Sequence, residues 1–244
     1  MGLSEAPFQL FGPSHRLVLF LIAAVPLLLA VLVRLGRRKG LEEGLCRGFA
    51  ALIAGTWAAW YVVFARMGWL DRGNALPLDL CSWAAIATVT ALLTRNQKAY
   101  ELAWFWAMAG TVQGIITPDI RYDFPNFQFL EFSLFHGGII AAVLFLTLGL
   151  GLRPWPASLP RVVGWSFVYM AVAGAADWLL GVNYGFLRAK PGHASPYDLM
   201  PAWPWYIPVV VGLALVSILI LYLPFLLADA AKALRRRHQA TARP

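Results

Sequence analysis

Two side chains suited to nucleophilic catalysis lie in separate apolar segments of this sequence. Cys81 follows Pro77 by four residues, and His136 stands near the start of another long apolar run. Ionisable groups are costly in hydrocarbon and are usually retained there for a task. A thiol becomes a strong nucleophile when a neighbouring base such as an imidazole takes its proton. The pair therefore indicates nucleophilic, covalent catalysis, provided that the fold brings the two side chains together.

Other polar residues near the predicted helix ends extend this hypothesis. Three carboxylates could orient the imidazole, and the sequence does not choose among them: Asp79, Asp119 and Asp177. Three further side chains could donate hydrogen bonds to a developing oxyanion: Gln113, Asn183 and Tyr184. No metal site is predicted, because one histidine within a span and scattered carboxylates lack the spacing of a ligand set. No cofactor motif is present either.

Each of the two reactive residues also has a purely structural interpretation. His136 could bond a neighbouring carbonyl and so hold the bundle together, and Cys81 could fill the core as a small apolar side chain. Asp119, which follows a proline, could simply cap the next segment. The two alternatives for each residue remain open at the level of the sequence.

Composition predicts that a membrane positions these residues. The chain has 244 residues, 60% of them hydrophobic and only 13% charged, with a mean hydropathy of +0.65. Apolar segments near twenty residues are long enough to cross a hydrocarbon core of about 30 Å. We therefore expect an all-α bundle, residues 1–244, forming one integral membrane domain. Seven spans are predicted at about 16–35, 46–66, 77–95, 99–118, 130–152, 161–182 and 204–228.

Charge placement predicts the topology and accounts for the net charge of +8. With seven spans, fourteen of the twenty Lys and Arg residues fall on one side. The positive-inside rule then predicts an outside N-terminus and a cytoplasmic C-terminus. The basic tail would meet anionic lipid headgroups, so a nucleic-acid partner is not needed. Cys46 and Cys81 fall on opposite sides, too far apart for a disulfide.

The same spans place the thiol and the imidazole at similar depth. At about 1.5 Å per residue, Cys81 would lie about 6 Å inside from Pro77. His136 would lie about 9 Å inside from Leu130 by the same arithmetic. Both would then face the outer half of the bilayer.

Several short motifs, in order along nearly the whole chain, resemble those of the bacterial YwaF-like integral membrane proteins. That family is related to eukaryotic transmembrane protein 164. The motifs are Leu76-Pro77-Leu78-Asp79-Leu80-Cys81, Gly110-Thr111-Val112-Gln113, Thr117-Pro118-Asp119-Ile120, Phe135-His136, Asn183-Tyr184, Lys190-Pro191 and Trp203-Pro204-Trp205-Tyr206.

The resemblance implies a lipid acyltransferase with a cysteine and a histidine, which fall on Cys81 and His136. A more distant branch, the androgen-induced-protein hydrolases, implies cleavage of fatty-acid esters instead. The family pattern usually has an asparagine near Asp177, where this chain departs from it. The resemblance thus implies a multi-pass protein of a cell membrane, the bacterial inner membrane, that acts on membrane lipids or another lipid acyl substrate.

Two other classes of function fit the same residues. A transporter or small-molecule-binding protein would use the polar pocket for a solute and its carboxylates to relay protons. It would depend on Asp119 or Asp177 and be indifferent to Cys81. A structural or chaperone-like membrane partner would need no pocket chemistry. The acyl acceptor and the oligomeric state are not predicted.

Overall fold

The computed structural model describes residues 6–36, 39–192 and 195–241. Over these residues the fold is all-α, which confirms the predicted class. Its seven principal helices are α1 (Pro13–Gly36), α2 (Lys39–Met67), α3 (Leu80–Thr94), α4 (97–116), α5 (Phe127–Leu148), α6 (Ser158–Leu180) and α7 (Tyr206–Thr241). Short 3-10 turns at Tyr184–Phe186 and Pro196–Leu199 lie between α6 and α7.

Five of these helices are long and apolar enough to cross a membrane. They are α1, residues 40–67 of α2, α5, α6 and residues 206–236 of α7. The apolar α3 has only 15 residues, about 22 Å of helix. The structure therefore supports a multi-pass membrane protein and leaves the count of seven spans as a prediction.

The helices are buried to very different extents. In the most apolar window of α5, 61% of residues are buried inside the protein, against 11% in α7. Helix α5 packs against α1 and α2, and α3 packs against α4. Ala103, Phe105 and Ala107 of α4 are fully enclosed. Helices α4 and α5 thus form the centre of the bundle, and α7 is left largely to the surrounding lipid.

Alternating helix directions give the bundle two distinct ends. We call one the loop end, formed by residues 68–79, 117–126 and 181–205, and the other the basic end, formed by residues 95–96, 149–157 and the last turns of α7. Three basic residues counted in the predicted topology, Arg37, Arg38 and Arg243, lie outside the described residues.

Several predicted helix boundaries are wrong by more than a turn. Helix α2 begins at Lys39 rather than near 46, and α7 runs to Thr241 rather than 228. Bilayer thickness limits the apolar part of a helix, whereas Ala, Leu, Lys and Arg continue it into water. Helix α3 begins at Leu80, because Asp79 is extended and serves as its N-cap residue. Pro77 therefore lies in the preceding loop.

Helix α4 contains a feature that the hydrophobic pattern does not predict. It consists of Gln97–Trp106, a π-helical turn Ala107–Thr111, and Val112–Ile116. A β-carbon on Gly110 would come within 2.9 Å of the Leu80 side chain, so this glycine permits the close approach of α3. Single π turns occur frequently at functional sites. This one lies between α3 and α5, the helices that carry the two reactive residues.

Candidate functional site

Cys81 occupies the second position of α3, at the loop end of the bundle. First-turn backbone N–H groups have no partner within their helix, and the positive end of the helix dipole favours a thiolate. The Cys81 residue is partly exposed, and the Thr111 side chain of α4 is a neighbour of its thiol. The thiol is free, as is that of Cys46. Cys46 lies at the basic end, where the Arg95 guanidinium donates to its sulfur at 2.6 Å.

His136 is held by its own helix rather than by a carboxylate. Its Nδ1 lies 3.0 Å from the Phe132 carbonyl oxygen, and its ring stacks on Phe132 with centroids 4.0 Å apart. A carbonyl can only accept, so Nδ1 carries the hydrogen of the neutral ring and Nε2 carries the lone pair. The bond is the structural one expected of this histidine, yet it leaves Nε2 available as a base.

The observed helix starts do not support the estimate that Cys81 and His136 lie at similar depth. Cys81 is in the first turn of α3, whereas His136 is the tenth residue of α5, about 13 Å along that helix axis. The estimate fails because α3 begins after Pro77 and α5 begins before Leu130. The spatial relation of Cys81 and His136 is therefore given by the residues next to each side chain.

Both side chains contact the same part of α4. Cys81 faces Thr111, and the His136 ring lies 3.9 Å from the position of a β-carbon on Gly114. Residues three apart on a helix are neighbours on one face. That separation is an ordinary van der Waals distance, and Thr111 is the last residue of the π turn. The thiol and the imidazole therefore flank a single turn of α4.

Tyr169 of α6 is a second polar residue on a helix next to α3. Tyr169 is 5% exposed, and its ring packs edge-on against Trp83 with centroids 5.5 Å apart. Its electrostatic neighbours are led by Asp79 and Cys81. Asp79 is exposed at the rim of the loop end, and its carboxylate accepts from the Gly185 backbone N–H.

Asp177, one turn below the end of α6, is fully buried. Its Oδ1 accepts from the Tyr184 backbone N–H at 2.6 Å, and its Oδ2 has no hydrogen-bond partner among the described residues. The Arg188 guanidinium donates at 3.0 Å to the backbone carbonyl of Asp177 and not to the carboxylate. Asp177 thus anchors the loop that follows α6.

Asn183 and Tyr184 order that same loop. The Asn183 amide accepts from the Arg188 and Ala189 backbone N–H groups and donates to the Ala189 carbonyl. The buried Tyr184 hydroxyl donates to the Arg72 carbonyl at 2.8 Å and accepts from the Leu76 N–H at 3.0 Å. Burial raises the pKa of the Tyr184 phenol above its usual range. Their hydrogen-bonding groups are therefore engaged within the protein.

The two remaining predicted residues lie near the end of α4 and are exposed. The Gln113 amide donates to the Ala109 carbonyl of its own helix at 2.9 Å. Asp119 lies in the 117–126 connection. Of the six supporting residues, Asp79 directly precedes α3 and is two positions from Cys81, Asp177 is buried under the loop after α6, and Gln113 and Asp119 are exposed.

Three polar residues of the loop end were not singled out in the sequence. Thr111 and Tyr169 approach Cys81 from two different helices. His15 is 1% exposed, and its Nε2 lies 2.8 Å from the Ile115 carbonyl while its Nδ1 accepts from the Phe11 N–H. Thr111 resembles the other small residues of α4, and Tyr169 lies in an apolar run. Only the neighbours of these residues distinguish them.

No cluster of three or more His, Cys, Asp or Glu side chains able to hold a metal occurs in the part of the chain that the structure describes. A groove of about 330 Å³ between α3, α4 and α6 opens beside the site. It is lined by Trp83, Ile86, Ala87, Thr90, Ala99, Leu102, Trp106 and Trp165. Trp83 connects the groove to Tyr169.

Comparison with known proteins gives one match. The model of the TMEM164 family matches residues 10–222, a range that includes every residue of the site. No curated protein matches, and no solved structure matches.

Proposed function

This chain belongs to the TMEM164 family, and on that premise we propose that it is a membrane enzyme that transfers or hydrolyses lipid acyl esters. Cys81 is the nucleophile and His136 the general base. The observation that carries the proposal is that both side chains contact the same turn of α4, at Thr111 and Gly114. Thioester catalysis requires a thiol and an available imidazole nitrogen within reach of one another, and the proposal assigns these roles to Cys81 and to Nε2 of His136.

The proposal includes the orientation of the helices in the membrane. All seven helices span the membrane, with the N-terminus outside, the C-terminus cytoplasmic, and the loop end facing outward. Arg95, Arg153 and Arg161 cluster at the basic end, which the positive-inside rule assigns to the cytoplasm. The short α3 crosses because it packs against α4 within the bundle and not against lipid alone. In a bacterial cell this membrane would be the inner one.

The reaction has two halves. In the first, His136 Nε2 takes the thiol proton and Cys81 Sγ attacks the ester carbonyl carbon. The bond to the alcohol oxygen then breaks, the alcohol leaves with the proton from His136, and Cys81 holds the acyl chain as a thioester. In the second, His136 takes the proton of a lysolipid hydroxyl or of water, whose oxygen attacks the thioester. The proton then returns to the Cys81 thiolate.

The groove between α3, α4 and α6 supports a lipid substrate. Its lining is almost entirely apolar, and three tryptophans, Trp83, Trp106 and Trp165, line it. From α3 the groove takes Trp83, Ile86 and Thr90, which share one face of the helix, so it offers an acyl chain an apolar surface on the helix that carries Cys81.

The test is acyl transfer by the full-length protein in vesicles of phosphatidylethanolamine and phosphatidylglycerol. One phospholipid carries a perdeuterated acyl chain, and mass spectrometry follows that chain to a lysolipid, to free fatty acid and to Cys81. We expect transfer or hydrolysis that is abolished in Cys81→Ala and Cys81→Ser. Cys46→Ser, at the basic end, is the matched control and retains activity. Full activity of Cys81→Ala would overturn the proposal.

A solute-binding protein is the second candidate, and Asp177 favours it. A fully buried carboxylate with one oxygen unpartnered among the described residues is a group that could relay protons. This candidate expects solute flux into vesicles that is lost in Asp177→Asn and unchanged in Cys81→Ala. The acyl-ester proposal expects the opposite dependence.

A further inference from the structure

Thr111 differs from six other hydroxyl residues in or directly after the helices. These six residues donate to the carbonyl four positions earlier: Thr88, Thr90, Thr94, Thr117, Thr147 and Ser217. The Thr111 hydroxyl is fully buried and makes no such bond, and no nitrogen or oxygen partner exists for it in the described parts of the chain. Its polar neighbour is the Cys81 thiol. A buried hydroxyl without a full partner is costly, so this arrangement needs a reason.

Tyr169 presents a second hydroxyl of the same kind. The hydroxyl is buried and has no hydrogen-bond partner within residues 6–36, 39–192 and 195–241. Its position is restricted, because the ring packs against Trp83 and a β-carbon on Gly185 would overlap the hydroxyl oxygen. Gly185 itself has a φ of +60°, which favours glycine. Tyr169 belongs to an apolar cluster that packs against Leu78, Leu80 and Trp83, so it lies near the first turn of α3. Asp79 and Cys81 act on it electrostatically.

The side chains predicted as oxyanion donors have other partners. Gln113 donates to Ala109, Asn183 to Ala189 and Tyr184 to Arg72. Two buried hydroxyls with hydrogens to donate remain on segments that pack against α3, the helix of Cys81: Thr111 in the π turn of α4 and Tyr169 in α6. Preorganised donors of this kind stabilise the charge that develops on a carbonyl oxygen under nucleophilic attack.

We propose that the Thr111 and Tyr169 hydroxyls form the oxyanion site for the acyl carbonyl attacked by Cys81. This inference rests on the proposed function. As the Sγ–C bond forms, the π electron pair of the carbonyl moves onto oxygen, where both hydroxyls donate hydrogen bonds to it. The pair returns when the C–O bond to the leaving alcohol breaks, and neither hydroxyl loses its proton. The substrate oxygen thereby becomes the partner that these two groups lack.

The experiment compares two variants with two matched controls. Tyr169→Phe and Thr111→Val each remove one hydroxyl with little change of shape. Tyr222→Phe removes another buried, unpartnered tyrosine hydroxyl, from α7, and Thr88→Val removes a buried hydroxyl that bonds the Ala84 carbonyl. Single-turnover formation of the Cys81 thioester is followed with the deuterated phospholipid vesicles. Alkylation of Cys81 by iodoacetamide, which develops no carbonyl oxyanion, is measured in parallel.

We expect Tyr169→Phe and Thr111→Val each to slow thioester formation about 10²- to 10³-fold, as loss of one oxyanion donor does elsewhere. The alkylation rate should stay within about twofold of the parent protein, both controls should acylate at the parent rate, and Thr111→Ser should retain activity. Unchanged thioester formation in Tyr169→Phe and Thr111→Val would overturn the inference. So would equal losses of acylation and alkylation, which would assign the hydroxyls to the thiol itself. Activity of Cys81→Ala is scored separately, so failure of the proposed function is distinguishable from failure of this inference.

Discussion

The two ends of the bundle differ in whether a buried carboxylate has a cationic partner. At the basic end, Glu101 is 2% exposed and forms an ion pair with Arg161. Its other oxygen accepts from Gln97 at 3.0 Å. At the loop end, Asp177 is fully buried, and no cationic side chain of the described residues bonds its carboxylate. The buried acid of the basic end has a cationic partner, and the buried acid of the loop end has none among the described residues.

The basic end also shows how the least buried helix is attached. The Arg153 guanidinium pairs with both carboxylate oxygens of Asp229 on α7 and lies 4.6 Å from the centre of the Trp155 ring. This pairing joins the 149–157 connection to a helix that has little other contact with the bundle. At the loop end, Thr111, Tyr169 and Asp177 each retain a buried atom without a partner among the described residues, and so do Arg153 Nε at the basic end and the Tyr222 hydroxyl of α7. Some unsatisfied groups of this kind are retained because a ligand or a reaction uses them. The clear difference between the two ends is therefore the pairing of the buried acids Glu101 and Asp177.

The largest effect expected from a loop-end change is on catalysis. His136→Ala should lower acyl transfer about 10²- to 10⁴-fold, the usual contribution of a general base. The melting temperature should change little, because the ring is only half-buried and its one hydrogen bond returns to its own helix. Rates in vesicles and thermal unfolding in detergent measure the two quantities. If His136→Ala lost its fold together with its activity, His136 would be a structural residue, and the expected difference between the two ends would be contradicted.

The largest effect expected at the basic end is on stability. Arg161→Ala leaves the buried Glu101 carboxylate without its cation, and breaking one side of such a pair costs about 3–5 kcal/mol. The free energy of unfolding in a denaturant series measures it, and single-turnover acylation of the folded fraction should be unchanged. Arg161→Lys is the control and should lose less. An unaltered unfolding midpoint would show that Glu101 does not depend on Arg161.

Gly185 should affect both properties. Gly185→Ala forces a side chain into a positive φ and against the Tyr169 hydroxyl, at a cost of about 1–3 kcal/mol. The displaced hydroxyl should also slow thioester formation. Gly151, also at positive φ but with open space around it, is the matched control. Gly151→Ala should lose stability without losing rate, and a similar rate loss in both variants would contradict the expectation.

The smallest effect is expected at a helix cap. The Asn96 side chain accepts from the Ala99 N–H at the start of α4, and loss of such a cap costs about 1 kcal/mol. Asn96→Ala should lower the unfolding midpoint slightly and leave acyl transfer intact. Asn96→Asp keeps the acceptor and should behave like the parent. A rate loss in Asn96→Ala would mean that the two ends are coupled through α4.

Much of the site depended on packing that local patterns do not encode. Cys81 and His136 are recognisable from sequence because ionisable groups stand out in apolar runs. Thr111 does not stand out in the sequence, because threonines in membrane helices ordinarily bond their own backbone. Only the structure shows that Thr111 lies in the π turn and lacks that bond. Tyr169 is missed for a similar reason, because its significance depends on Trp83 and Gly185 from other segments.

The amino-acid sequence by itself determined the all-α membrane class, the approximate helices, the asymmetry of charge and the two residues proposed for the chemistry. Those properties follow from transfer free energies, which add up locally along the chain. Tertiary structure alone decided that α3 begins at Leu80, that the imidazole hydrogen bonds to Phe132, and that Thr111 and Tyr169 carry buried, unpartnered hydroxyls on segments packed against α3. Those properties depend on how helices distant in sequence pack, where a small residue such as Gly110 allows two helices to approach closely.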